Sequence, residues 1–165
     1  MTGGAFLQLR FTSISPGKLA DLAYAPFRNQ FADKDISVEF NIPYVLPTLH
    51  CDVAKIAWVM TIFFSNAVRY TPQWGKLAVK GSDAHGNLRL AVENSGYGIP
   101  PERLGQMFEA TENPEAPEFG RGLALLLARD IVEAHGGKIG VYTEPGVLTG
   151  FFIELPIIRP EAESP

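Results

Sequence analysis

Only one cysteine, Cys51, stands among the 165 residues, so no internal disulfide framework can hold the chain together. A lone cysteine fits a reducing compartment. Long apolar runs are missing too. The longest, Leu123 to Ala128, falls far short of the ~20 residues that cross a bilayer. Met1-Thr2-Gly3-Gly4 offers neither a basic start nor an apolar signal segment. The expectation is a cytoplasmic domain without membrane contact of its own, whether or not a larger parent protein is anchored. Positive charge is scarce: 14 Lys and Arg stand against 18 Asp and Glu, a net charge of −4. That excludes the basic surface on which nonspecific nucleic-acid binding depends. It does not exclude a phosphate ligand, because helix N-termini and a metal can hold one locally. Histidines are few as well. His50, His85 and His135 lack metal-ligand spacing, and His50 beside Cys51 makes no zinc pattern, so surface or packing roles suit all three.

What is present is enough for one domain with a full core: 46% hydrophobic residues in a chain short for two domains. Phe6 to Phe11 partly alternates and predicts a first strand. Ser15-Pro16 then caps a helix that runs to about Phe31, kinked or split at Pro26. Ile36, Val38 and Phe40 alternate as a second strand. Asp52 caps a helix with the stripe Val53, Ile56, Met60, Phe63 and Ala67, stopped by Pro72. Leu77 to Gly81 and Leu88 to Val92 read as strands joined across Asp83–Asn87. A tight loop from Asn94 to Pro101 leads into a helical turn through Phe108. Polar, acidic residues 110–119 form a candidate flexible segment, which should order when a ligand binds. A helix from Arg121 to His135 stops at Gly136-Gly137, and a last hairpin spans Lys138–Thr143 and Gly150–Leu155. The whole predicts a two-layer α/β sandwich over residues 5–157, a mixed sheet covered on one face by about three helices. Residues 158–165 read as a flexible tail.

Four constellations carry the chemistry. On the first, Ile62, Asn66, Arg69 and Tyr70 share a helix face. An amide oxygen is a hard ligand suited to Mg²⁺, and a guanidinium suits phosphate oxygens. An asparagine and a solvated arginine near a helix end is the bland alternative. In the second, Asn94 precedes Gly96-Tyr97-Gly98-Ile99-Pro100, where glycines let backbone approach a flat ligand, or simply turn the chain. Third comes Met107-Phe108-Glu109, which taken alone is core. The fourth, Gly120-Arg121-Gly122-Leu123-Ala124-Leu125, opens a helix whose N-terminus favours phosphate, or serves as a hinge. It is neither a P-loop, lacking Gly-Lys-Ser/Thr, nor a dinucleotide fingerprint, lacking a strand directly before it.

In this order the four resemble the asparagine, first glycine, phenylalanine and second glycine boxes of the sensor histidine kinase catalytic domain. That domain belongs to the GHKL superfamily, together with the gyrase ATPase and MutL. Asn66-Ala67-Val68-Arg69-Tyr70-Thr71-Pro72 is similar to the family's Asn-Ala-x-Lys/Arg-Tyr-Thr-Pro, and Gly96–Pro100 to its Gly-x-Gly-Ile-Pro. Gly120–Leu125 is similar to its Gly-x-Gly-Leu-x-Leu, and Ile131–Gly137 continues the pattern. The resemblance spans about Leu9 to Leu155 and implies a Bergerat-type fold holding ATP and Mg²⁺. It implies Asn66 as the metal ligand, Arg69 and Tyr70 facing phosphates or sugar, and Asn94 at the adenine amino group. Gly96, Gly98, Ile99, Phe108, Gly120, Arg121, Gly122 and Leu123 would line the nucleotide, with residues 110–119 as the lid.

Such a domain passes the γ-phosphoryl group to a histidine on a dimerisation and phosphoacceptor domain, and through it to a response regulator. No histidine here has the family's phosphoacceptor context, so that partner domain must be supplied separately. Three departures stand out: Ile62 one turn before Asn66, Asn94 in place of an aspartate, and no lysine or arginine between Phe108 and Gly120. They keep open a second reading, a degenerate module of the same fold that signals by docking. A hydrolytic ATPase would need a glutamate base on the Asn66 helix. The only carboxylate there is Asp52, at the far end.

Overall fold

A computed structural model describes residues 8–105, 107–108 and 123–157. The tail from 158, the segment 109–122 and the Gly120-Arg121-Gly122 motif lie outside the described residues. Among the described residues the first strand is β1 (Thr12–Ile14), and the start of the strand predicted over Phe6 to Phe11, residues 6 and 7, lies outside them. Residues 8–11 form no regular element. Arg10 N–H instead donates to Asp52 Oδ2 at 2.9 Å, which fixes this stretch by a side-chain partner and not by a strand ladder.

Helix α1 (Pro16–Tyr24) starts where Ser15 accepts from Lys18 N–H. Pro26 splits the predicted long helix. It lacks the N–H that would continue the ladder, and a 3-10 turn over Ala25–Phe27 separates α1 from α2 (Arg28–Asp33). Strand β2 (Ser37–Asn41) follows, then a proline-rich loop and a strand that no local pattern announces, β3 (Leu49–Cys51). β3 pairs antiparallel with β1 and buries Leu49 and Cys51, with His50 between them. Helix α3 (Val53–Tyr70) is capped by Asp52, whose Oδ1 accepts from Lys55 N–H, and it ends one residue before Thr71-Pro72. Its buried stripe is Ile56, Val59, Met60, Phe63, Phe64 and Ala67.

Strands β4 (Lys76–Ala84) and β5 (Asn87–Ser95) meet through His85-Gly86 alone, a two-residue turn with φ of 57° and 87°. A short α4 (Pro101–Leu104) follows, and then α5 (Leu123–Ala134), β6 (Lys138–Glu144) and β7 (Leu148–Pro156). The sheet order is β2-β4-β5-β7-β6, with β2 parallel to β4 and every other pair antiparallel. One face of this mixed sheet is the core. Leu77 and Val79, then Leu88, Leu90 and Val92, then Phe151, Ile153 and Leu155 alternate inward against the helices. Phe63 of α3 stacks on Phe151 with ring centroids 5.4 Å apart. The architecture is the two-layer α/β sandwich that the sequence predicts.

Candidate functional site

The inward rows of β5 and β7 change character at one end. Two residues beyond Val92 the inward position is Asn94, and two residues before Phe151 it is Thr149; the two are register partners. Both are buried, 6% and 7% exposed. Polar groups that deep require partners. Asn94 Nδ2 donates to Ser95 O at 3.1 Å, which leaves Oδ1 as the amide's open acceptor. Thr149 Oγ1 lies 3.4 Å from Thr143 Oγ1. Thr143 Oγ1 in turn accepts from Ile99 N–H at 3.0 Å and donates to Leu148 O at 2.9 Å. A polar floor therefore closes the end of an otherwise apolar sheet face.

Above this floor lies a cavity of about 440 Å³, with Asn66 and Tyr70 of α3 on one wall and Gly98 to Pro100 and α4 on another. A second hollow of about 380 Å³ lies on the far side of Asn66, lined by Phe27, Ile62, Ser65, Arg69, Ala124 and Leu125. Asn66 belongs to both. Asn66 thus stands between the hollow with the Asn94–Thr149 floor and the hollow at the start of α5.

The predicted residues divide. Asn66, Tyr70, Asn94, Gly98 and Ile99 surround the first cavity, and Arg69 the second. Phe108 is half-buried against the core and is not among the lining residues of either hollow. Leu123, exposed, opens α5 beside the second. Gly120, Arg121 and Gly122 lie outside the described residues. The glycines Gly96 and Gly98 serve a purpose that the motif alone does not convey. Gly98 has φ +80°, and a Cβ there would meet Thr143 Oγ1 at 2.6 Å and Pro145 Cα at 3.2 Å. At Gly96 a Cβ would lie 3.2 Å from Tyr70 O. The missing side chains let the loop pack onto the β6–β7 turn and the end of α3. Gly96 N–H donates to Val147 O and Gly146 N–H to Tyr97 O, which pins the loop as a cavity wall.

Thr149, Thr143, Pro100 and Arg103 join the site without being among the residues the sequence predicts for it. For Thr149 a signal existed, since stepping back by two from Ile153 and Phe151 lands on a threonine where the strand is otherwise apolar. Among the described residues no cluster of three His, Cys, Asp or Glu could hold a metal by itself. The donor set fits Mg²⁺ all the same, because that ion takes one or two protein oxygens beside phosphates and water, and Asn66 supplies such an oxygen between the two hollows.

A sequence profile of the histidine kinase-, DNA gyrase B- and HSP90-like ATPases matches residues 51–159, and the chain belongs to that family. Within it, the chain is an ATP-binding catalytic domain of the histidine-kinase type. The adaptive-response sensory kinase SasA of Gloeothece citriformis is 32% identical over 161 residues, 94% of this chain and 40% of that protein. The nucleotide-free catalytic domain of the histidine kinase ThkA superposes with a TM-score of 0.76 at 27% identity, covering 89% of this chain and 95% of that one. Full-length ShkA in complex with AMPPNP superposes with a TM-score of 0.80 at 25% identity, covering 91% of this chain and 32% of that one. The chain thus spans well under half the length of SasA.

Proposed function

We propose that this domain binds ATP with Mg²⁺ and donates the γ-phosphoryl group to a histidine on a separate dimerisation and phosphoacceptor domain, from which a response regulator is charged. The observation that carries the reading is the place of Asn66 in the walls of both hollows, one with the Asn94–Thr149 floor and the other with Arg69 and the start of α5. Asn94 Oδ1 accepts from the adenine amino group, and Ile99 and Phe151 give the base apolar contacts. Asn66 would hold the metal, which supplies charge neutralisation across the phosphate oxygens. Arg69 takes phosphate oxygens, and so does the glycine-rich motif Gly120-Arg121-Gly122-Leu123, of which only Leu123 lies among the described residues. Catalysis of this kind is chiefly positioning and charge stabilisation, so the binding domain can be the catalytic one.

Calorimetric titration with ATP, with and without Mg²⁺, tests the reading. Binding should require the metal, and Asn66→Ala should weaken it at least tenfold, about 1.4 kcal/mol. With radiolabelled ATP the chain alone should stay unlabelled, and a cognate histidine-bearing domain should acquire an acid-labile phosphate. Ile62 and Asn94 favour the second reading, a docking module that has lost its ligand. No binding at millimolar ATP would establish it.

A further inference from the structure

We propose that Lys34 is a positioning residue of the nucleotide site, holding the last turn of α3 so that Tyr70 and Arg69 keep their places in the walls of the first and second hollows. The proposal rests on the ATP reading above and extends it to a residue that lines neither hollow and belongs to none of the four motifs. Its basis is a bond at each end of one lysine. Lys34 Nζ donates to Val68 O at 2.7 Å, and Lys34 O accepts from Trp74 N–H at 3.1 Å. One residue thus grips α3 just before its end and the chain just after it.

The topology brings these segments together. β2 and β4 are parallel neighbours, and each starts a few residues after a helix, so the α2–β2 and α3–β4 junctions lie side by side, with Ser37 and Lys76 as register partners. Further bonds tie the two junctions: Ser37 N–H donates to Gly75 O at 3.0 Å, and Gln73 Nε2 donates to Asp35 Oδ2 at 3.1 Å. Each junction also carries a non-glycine residue in the left-handed region, Asp35 at φ 54° and Trp74 at φ 70°. Such backbone persists only where its surroundings overdetermine it. Lys34 itself is fixed by the end of α2, where its N–H and that of Ile36 both donate to the carbonyl of the buried Phe31.

The end of α3 needs such a partner, because the last four carbonyls of a helix have no donor within it. Ala67 O takes Thr71 N–H at 2.9 Å, and the next carbonyl, Val68 O, takes the Lys34 ammonium. A cation there also suits the negative end of the helix dipole, and a charge-assisted bond is roughly twice as strong as a neutral one. Val68 directly precedes Arg69 and Tyr70. Fraying of the helix back to Val68 would therefore displace Tyr70 from the first cavity and Arg69 from the second.

The test compares three variants. Lys34→Met keeps the apolar stem and removes the ammonium, and Lys34→Arg keeps a cationic donor. Leu88→Ala opens the core at the other end of β5 and serves as the control for lost stability alone. Each is titrated calorimetrically with ATP and Mg²⁺ at a temperature where urea unfolding shows it folded, and amide NMR shifts are recorded without ligand. Positioning predicts that Lys34→Met binds about fivefold more weakly or worse, with its shifts concentrated at residues 66–75. Lys34→Arg should recover part of the loss, and Leu88→Ala should bind as the parent does. The proposal is overturned if Lys34→Met binds ATP as the parent does, if Leu88→Ala loses as much affinity, or if Lys34→Arg binds no better than Lys34→Met. Should the unsubstituted domain bind no ATP, the ATP reading itself fails and takes the proposal with it, a result distinct from equal binding by parent and Lys34→Met.

Discussion

Asn94 offers the sharpest test of how the base is read. It is 6% exposed and gives Nδ2–H to Ser95 O at 3.1 Å, so its oxygen is the acceptor left for a ligand. Asn94→Leu removes that acceptor and leaves the adenine amino group facing hydrocarbon. A buried donor without a partner costs about 1–3 kcal/mol. Taking about 2 kcal/mol, ATP affinity should fall about thirtyfold, at 1.4 kcal/mol per decade. Asn94→Asp restores an acceptor with full charge, and charge-assisted bonds are roughly twice as strong as neutral ones. The structure sets the counterweight. A carboxylate oxygen would replace the amide nitrogen opposite Ser95 O, turning a hydrogen bond into a repulsion. The net change should stay within about 1 kcal/mol, roughly fivefold in either direction. Calorimetry on parent and both variants, repeated with inosine triphosphate, which lacks the amino group, completes the test. The penalty for losing the amino group should be large in the parent and nearly absent in Asn94→Leu. If Asn94→Leu binds ATP as tightly as the parent, or penalises inosine triphosphate as heavily, Asn94 does not read the base.

Three further outcomes follow from the packing. Burial alone would raise the Asp52 carboxyl, but the N–H groups of Arg10 and Lys55 and the Lys55 ammonium outweigh it and hold the group below its ordinary value. A depressed carboxylate contributes stability above its unfolded value near 3.9 and loses it as pH falls through the folded one. Asp52→Asn should therefore flatten the acid limb of a pH–stability profile, and Asp52→Ala should cost about 2 kcal/mol in urea unfolding at neutral pH. Burial first, and the Asp52 charge second, push the Cys51 thiol up to about 11. Roughly one molecule in a thousand then carries a thiolate at pH 8, so iodoacetamide should label Cys51 only in the unfolded chain. Gly98→Ala forces a positive φ on alanine and drives Cβ into Thr143, the partner of Ile99 N–H. Thermal melts should show a loss of about 3 kcal/mol.

Much of the fold was legible because periodicity survives in single elements. The stripe from Ile56 to Ala67 and the alternation of Leu88, Leu90 and Val92 each needed only local sequence. β1 and β3 were not legible, because three-residue strands carry no period, and each exists through pairing with the other across 35 or more residues of chain. Of the site, Asn66, Tyr70, Asn94 and Ile99 were found by motif, and the structure brings them to one cavity. Phe108 went to the core edge instead, as its aromatic character alone predicts. Thr149 and Arg103 were missed for opposite reasons. Thr149 sits in phase on a strand whose pairing with β5 no local signal reveals. Arg103 is one surface-type residue on a four-residue helix, and only the cavity distinguishes it from solvent.

The two ends of the site are built differently, and the difference follows from how α3 and α5 are joined. α3 is 18 residues, about 27 Å long, with Asp52 at one end and Asn66 near the other. α5 runs antiparallel beside it. At the end remote from the site, His135 just beyond α5 accepts Asp52 N–H on Nε2 at 3.0 Å, and its Nδ1 donates to Ile131 O at 2.7 Å. Phe11 packs against both His50 and His135, at 5.6 and 5.2 Å, sealing the same junction. At the site end the two helices are parted by the hollow that Asn66, Arg69, Ala124 and Leu125 surround. The base floor, by contrast, is part of a five-stranded sheet, where moving Asn94 or Thr149 means breaking ladder bonds on both sides. On the proposed function, the base would therefore meet a preformed sheet surface, whereas the hollow beside Asn66 is bounded, among the described residues, by the helices α3 and α5 and by no sheet ladder.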